Sequence, residues 1–329
     1  MRRARSLLIA LIVVLVAFWS LAPMARAMLL LRNSQHMMPS APSIAGVQAS
    51  SVSFYTNDAD NPIPISAWFA QVDPAAPTVI LVPGWKDDRA TMLPYARFLV
   101  QAHLNALLID LQGTGHSGGT FSLGLHEPED VEAAESYLDT LATQRNHHYG
   151  VLGVSFGAGV ALAAAGDPQT VGTPEIRAIV ADSPWATEDP TVNHLDSLQV
   201  LGLSIPLIPD ASWAVNQTIG GSPDRISALV GAAHLQAGQA LLLIHSTHDQ
   251  NATTSLADVQ QLYRSARATK ATVLPVWMAP LGGHASAYSA QPATYIKHIV
   301  GFFHKYLVDI KDQPASPSYP TSTPHSNYP

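Results

Sequence analysis

The chain has 329 residues, is 47% hydrophobic and 12% charged, and carries a formal net charge of -7. No run of Lys and Arg occurs beyond the first few residues, which excludes the basic footprint of a nucleic-acid binder. The chain has no cysteine, so it has neither a disulfide framework nor a thiolate metal site.

Arg2, Arg3 and Arg5 precede an uncharged apolar run from Leu7 to Met24. As a helix rising 1.5 Å per residue, about 18 residues span roughly 27 Å, close to the hydrocarbon core of a bilayer. Ala25-Arg26-Ala27 has the small-x-small pattern of a signal-peptidase site. The apolar run is longer than a usual signal core, however, and Met28-Leu29-Leu30-Leu31 follows it. Residues 1–31 are therefore read as an uncleaved signal anchor in preference to a cleaved signal peptide or a buried core helix. Either exported reading keeps the basic end in the cytoplasm, so the expected partner is the cell membrane and the expected location of the main domain is extracytoplasmic.

Residues 32–50, rich in Ser, Pro, Ala and Gln, read as a linker. Ser51–Thr56 and Ile65–Gln71 read as strands joined by a polar turn. Thr78–Val82 is a buried strand ended by Pro83-Gly84, Thr91–Ala102 has helical apolar spacing, and Asn105–Ile109 is the next strand. The Gly-rich segment Asp110–Gly119 follows, then a helix over Pro128–Gln144 with Val131, Ala134, Tyr137, Leu138 and Leu141 on one face. Glu127, Glu129 and Asp130 stand at its start, where the helix dipole favours anions. Tyr149–Val154 is a strand, and Ala158–Ala165 a tightly packed small-residue helix.

Ile176–Ala181 is the sixth strand. Residues 187–237, with Pro190, Pro206, Pro209 and Pro223, are too long for a loop and read as a small, mostly helical cap. Ala240–Ile244 (strand), Thr254–Arg267 (helix), Thr272–Met278 (strand) and Tyr295–Val308 (helix) complete a domain placed at 51–310; the Pro/Ser-rich residues 311–329 read as a disordered tail. Strands that are continuous apolar runs alternating with helices imply an α/β architecture with a mostly parallel sheet of about eight strands, covered on both faces, and the helix-free opening pair implies an antiparallel edge.

In such a sheet, functional groups collect where strands end. Gly153-Val154-Ser155-Phe156-Gly157, between a strand and a helix, is the pattern of a nucleophile elbow: a sharp turn that lifts a serine hydroxyl to the sheet rim. Pro83-Gly84-Trp85, Asp110, Asp182, Asp249 and His284 follow the other strands. Serine, acid and histidine thus occur in the order Ser155, Asp249, His284.

These segments together resemble the α/β-hydrolase fold serine hydrolases, over about Val52–Leu307. The elbow, the Asp110-x-x-Gly113-x-Gly115-x-Ser117 loop, the acid segment Leu243–Asp249 and Gly282-Gly283-His284 each match a family motif in the family's order. The sequence is most similar to the bacterial groups that include serine aminopeptidases and dienelactone hydrolases. It departs at Pro83-Gly84, where many members have His-Gly, and at Ser246-Thr247-His248, where the acid segment often has His-Gly.

The resemblance implies an esterase acting on small-molecule carboxylic esters through an acyl-enzyme, with no cofactor. Ser155 is a weak nucleophile until a base takes its proton, and an imidazole titrating near 6.5 such as His284 can do so. Asp249 would fix the imidazole tautomer, with Asp182 as the rival acid. The Trp85 and Phe156 N–H groups would form the oxyanion hole. Asp110 reads as structural, and Trp185 and Trp213 as packing residues or pocket walls. The pairs His147-His148 and His245/His248 lack the carboxylate-histidine spacing of a metal site, so none is expected. Two other functions compete: a peptidase, for which Glu188 and Asp189 are weak candidates to bind a substrate amine, and a binding protein on a hydrolase scaffold.

Overall fold

The structure is a computed structural model and describes residues 2–34, 40–57, 60–141, 148–167, 175–187, 197–200, 203–206, 212–251 and 254–308. It opens with a long helix, α1 (Arg2–Leu30), and a small hairpin, β1 (Ser43–Ile44) with β2 (Val47–Gln48). The main domain follows as β3 (Ser50–Tyr55), β4 (Pro64–Ala70), β5 (Thr78–Val82), α2 (Leu93–Gln101), β6 (Asn105–Ile109) and α3 (Glu127–Thr140). Next come β7 (Tyr149–Val154), α4 (Phe156–Ala165), β8 (Ile176–Asp182), β9 (Ser197–Val200) and β10 (Leu203–Pro206). Beyond these lie α5 (Ser212–Ile219), α6 (Ala228–His234), β11 (Ala240–Ser246), α7 (Leu256–Arg267), β12 (Thr272–Val273), β13 (Trp277–Ala279), α8 (Ala287–Ala290) and α9 (Pro292–Phe303).

Nine strands form the central sheet in the order β12-β11-β8-β7-β5-β6-β4-β3, with β13 also pairing β11. β3 and β4 are antiparallel to their neighbours, and the other pairings are parallel. The parallel strands β5, β6 and β7 are buried at every position, which is why they read as unbroken apolar runs rather than alternating ones. Two apolar layers cover the sheet. Residues of α3, α4, α6 and α7 fill one, and residues of α2 and α9 the other. All residues of α4 are buried, as expected of a helix apolar all round.

Three elements differ in detail from the sequence reading. The expected strand over Thr272–Met278 is two short strands, because Pro275 between them has no N–H to donate to β11. The last helix begins at Pro292, whose fixed φ suits a first helical position, and its end is a π turn over His304–Val308. In the cap, the described residues include the antiparallel pair β9–β10 as well as α5 and α6.

The segment read as a linker is built into the domain instead. Ser34 N–H donates to Gly113 O, and Gly115 N–H donates to Ser34 O, each at 2.9 Å. Ala27 of α1 and Leu31, just past its end, are buried in the core. The tail 311–329 and residues 188 and 189 lie outside the described residues.

Candidate active site

β7 occupies the middle of the sheet, and the chain leaves it for α4 through Ser155. Ser155 has φ 55° and ψ -118°, a conformation costly for a side chain bearing a Cβ. Its neighbours hold it there. Ser155 N–H donates to Asp182 O at the end of β8, 2.8 Å away. A Cβ on Gly153 would overlap the Gly157 carbonyl, and one on Gly157 would overlap the Val82 and Pro83 carbonyls. Only glycine at both positions lets β7, α4 and the β5 loop meet this closely.

Ser155 Oγ lies 2.7 Å from His284 Nε2. His284 Nδ1 lies 3.0 Å from Asp249 Oδ2. Asp249 stands on the loop after β11 and is fully buried at its side chain. Burial pushes its carboxyl up, but the hydrogen bonds to His284 and from the Asn251 N–H outweigh this and hold it below its ordinary value. Three side chains separated by up to 129 residues therefore form one continuous chain of polar contacts.

Two residues that sequence reasoning missed brace this arrangement. The Thr254 hydroxyl lies 3.2 Å from Asp249 Oδ2 and 3.0 Å from His284 Nδ1. Ser183 Oγ accepts the Ala285 N–H at 3.1 Å and donates to Asp182 Oδ1 at 3.0 Å. Neither has a sequence signal of its own: Thr254 reads as the first residue of a helix, and Ser183 simply follows the sixth strand. His245, also buried, places Nδ1 3.9 Å from Asp249 Oδ2, and burial lowers its pKa despite that carboxylate.

Asp182, the rival acid, does not bond His284. It is buried, and burial raises its pKa to about 6 although the Ser183 hydroxyl donates to it. Asp110 likewise turns away from the serine. It accepts the Arg89 N–H at 2.7 Å, the Arg89 guanidinium at 2.8 Å and the His116 N–H at 2.8 Å. It thereby closes the Gly-rich turn. Arg89 also stacks 4.9 Å from the Trp68 ring centroid. Asp130 N-terminal in α3 accepts the Gln112 N–H at 2.7 Å, so the acidic start of that helix holds the same turn.

The loop after β5 flanks the serine. A Cβ built on Gly84 would stand 3.8 Å from Ser155 Cβ. Among the described residues, no acceptor takes the N–H of Trp85 or of Phe156, the residues that follow Gly84 and Ser155. The Trp85 ring packs edge-on against Phe121, Phe156 and Trp185, with centroids 5.0, 5.7 and 5.8 Å away. Trp185 is buried there, whereas Trp213 on α5 is exposed. His147, Glu188 and Asp189 lie outside the described residues. Among the described residues, no three His, Asp or Glu side chains cluster as an ion site.

No family model matches the chain. It is 26% identical over 273 residues to the uncharacterized protein YfhR of Salmonella typhi, covering 79% of this chain and 83% of that one. Among solved structures it is similar to the Pyrococcus furiosus esterase Pf2001, with a TM-score of 0.64 at 21% identity over 84% of this chain and 97% of that one. It is also similar to Est1E of Butyrivibrio proteoclasticus, solved with ferulic acid bound, with a TM-score of 0.55 at 16% identity over 78% of this chain and 99% of that one. An acylaminoacyl peptidase of Pyrococcus horikoshii gives a TM-score of 0.55 at 15% identity over 81% of this chain and 43% of that longer one. The sheet order, the turn at Ser155 and these likenesses agree: the chain has the α/β-hydrolase fold.

Proposed function

We propose that the chain is a serine hydrolase that cleaves carboxylic esters, with Ser155 as nucleophile, His284 as general base and acid, and Asp249 as the acid behind the imidazole. The observation that carries this reading is the unbroken contact from Ser155 Oγ through His284 to Asp249, at 2.7 and 3.0 Å. His284 Nε2 takes the hydroxyl proton as Ser155 Oγ attacks the carbonyl carbon. Asp249, held ionised, steadies the imidazolium that results. Collapse of the tetrahedral adduct expels the alcohol, which takes the proton back from His284. Water then attacks the acyl-enzyme by the same route and frees the acid.

The Trp85 and Phe156 N–H groups are assigned to the oxyanion. Their lack of a protein acceptor supports this, and each such donor is worth about 3–4 kcal/mol in the transition state. Apart from the water that attacks the acyl-enzyme, the chain's own residues provide the nucleophile and relay the protons in this cycle, so the reading needs no cofactor. α1 is proposed to tether the domain to the outer face of the cell membrane. The helix Arg5–Leu30 contains an apolar 18-residue window, none of it buried, which supports that placement.

Labelling with a fluorophosphonate tests the enzyme reading: Ser155-dependent modification is expected, and a folded protein that stays unlabelled would leave a binding scaffold. A panel of ester chain lengths run beside aminoacyl amides separates esterase from peptidase. Faster turnover of the amides would replace the esterase reading.

A further inference from the structure

α1 does more than lead into the domain. Its last two turns are locked onto the loop beside the candidate nucleophile. Lys86, one residue past Trp85, donates from Nζ to Leu29 O at 3.0 Å. Asn33 accepts the Phe121 N–H and donates to Gly119 O at 3.0 Å, so the end of α1 is tied to the Gly-rich loop as well. The cap helix α5 packs along α1 from the other side.

Between α1 and the β5 loop lies a groove of about 670 Å³. Its walls include Ala17, Phe18, Leu21, Ala25 and Leu29 of α1 and Trp85 of the loop after β5. That volume lies in the range of small-molecule sites. The walls are almost wholly apolar apart from Arg26 and Lys86.

The position of the groove identifies its occupant. The uncharged run Leu7–Ala25 is about 28 Å long as a helix, which fits the hydrocarbon core with Arg2, Arg3 and Arg5 at one face and Arg26 at the other. With α1 across the bilayer as proposed above, Ala17–Ala25 would stand in its outer half and Leu29, Trp85 and Lys86 at the headgroup level. A lipid ester bond sits at that same level, with its acyl chain pointing to the bilayer centre. The groove follows the same course, from Trp85 down to Ala17. Trp85 and Lys86 bring the loop after β5 to the groove, and Gly84, next to Trp85 on that loop, borders Ser155. Lys86 and Arg32, close enough for their charges to interact, add cations where an anionic headgroup would stand.

We propose that this groove seats the acyl chain of a membrane lipid ester, drawn from the outer leaflet, so that long-chain acyl esters are the substrate class. The proposal rests on the serine-hydrolase reading above. Transfer of the chain from lipid to groove gains little hydrophobic free energy, because both surroundings are apolar. The groove acts by alignment: it delivers the ester carbonyl to Ser155 without extracting the whole lipid.

The test uses the full chain in phosphatidylcholine nanodiscs. An alkyl fluorophosphonate with a 16-carbon tail ending in a diazirine is attached to Ser155 and photolysed. Crosslinks to residues 17–30 are expected, and crosslinks found only elsewhere overturn the proposal. Ala25→Trp, at an exposed groove position, is expected to lower the palmitate-to-butyrate hydrolysis ratio at least tenfold while butyrate turnover persists. An unchanged ratio overturns it. Failure of the enzyme reading looks different, since neither the long nor a short fluorophosphonate would then label Ser155.

Discussion

Ser183 Oγ accepts the N–H of Ala285 at 3.1 Å, joining the residue after β8 to the residue after His284. Both residues have positive φ, 56° and 51°, so two strained turns support one another. Ser183→Ala leaves the Ala285 N–H without its partner. Loss of a half-buried hydrogen bond of this kind costs about 1 kcal/mol. If the contact positions the imidazole, kcat falls about tenfold while KM stays within twofold, and Ser183→Thr recovers most of it. Steady-state kinetics beside a urea titration checks this. A loss of stability with kcat unchanged would make the contact purely structural.

The carboxylate that ends β8 and the one on the loop after the neighbouring β11 are expected to differ in function. Asp249→Asn removes the charge behind His284 and is expected to lower kcat by about 10⁴-fold. Asp182→Asn keeps an acceptor for Ser183 and is expected to leave kcat within about threefold. Reversal of these two effects would move the acid to Asp182.

Asp182 also sets a pH dependence of stability. Its folded pKa of about 6 is above the value of about 3.9 for an unfolded aspartate. The folded state therefore holds the proton more tightly. The stabilisation this gives is complete below about pH 4 and is lost as pH rises to about 6. Two units correspond to about 3 kcal/mol at most. Asp182→Asn is expected to flatten the stability curve between pH 4 and 6 and to raise Tm at pH 8. Urea midpoints at five pH values, for both proteins, check the sign.

Arg89 and Asp110 are buried together with no solvent to stand in for either. Burial raises the Asp110 pKa, and Arg89 and the backbone N–H groups oppose that rise. Arg89→Ala leaves a buried carboxylate without its cation, a change that costs about 3–5 kcal/mol. The Gly-rich turn that receives α1 would loosen with it. Thermal melts of Arg89→Ala and Asp110→Asn compare the two halves, and the arginine change is expected to be the worse.

What the sequence made legible follows from local physics. Unbroken apolar runs marked β5, β6 and β7 because those strands are buried on both faces. Ser155, Asp249 and His284 stood out because each follows its own strand, and parallel strands end at one rim. Ser183, Thr254 and Arg89 were hidden because each acts through a partner that only the fold brings near; Ser183 and Ala285 are 102 residues apart. The docking of Asn33 and Ser34 was hidden for the same reason. Their composition reads as a linker, and their partners, Gly113, Gly119 and Phe121, lie about 80 residues on. Pro275 was visible as a residue, but the apolar run around it hid the break it makes.

That docking gives the two readings of the N-terminus different expected outcomes. Cleavage after Ala27 would remove Pro23 and Ala27, both buried, and strip the face of α1 against which α5 packs. It would also end the turn in which Leu31 N–H donates to Ala27 O at 2.9 Å, leaving Leu31 on a free terminus. A true signal sequence is expected to leave its domain unharmed when removed. Here a chain starting at Met28 is expected to lose about 2 kcal/mol or more from exposed apolar surface, at about 25 cal/mol per Å². That corresponds to a Tm lower by about 5 °C for a domain of this size. Terminal sequencing of the exported protein should find the helix retained. A mature protein beginning at Met28, with the Tm of the full chain, would show that α1 is dispensable and would also remove the groove it helps to build.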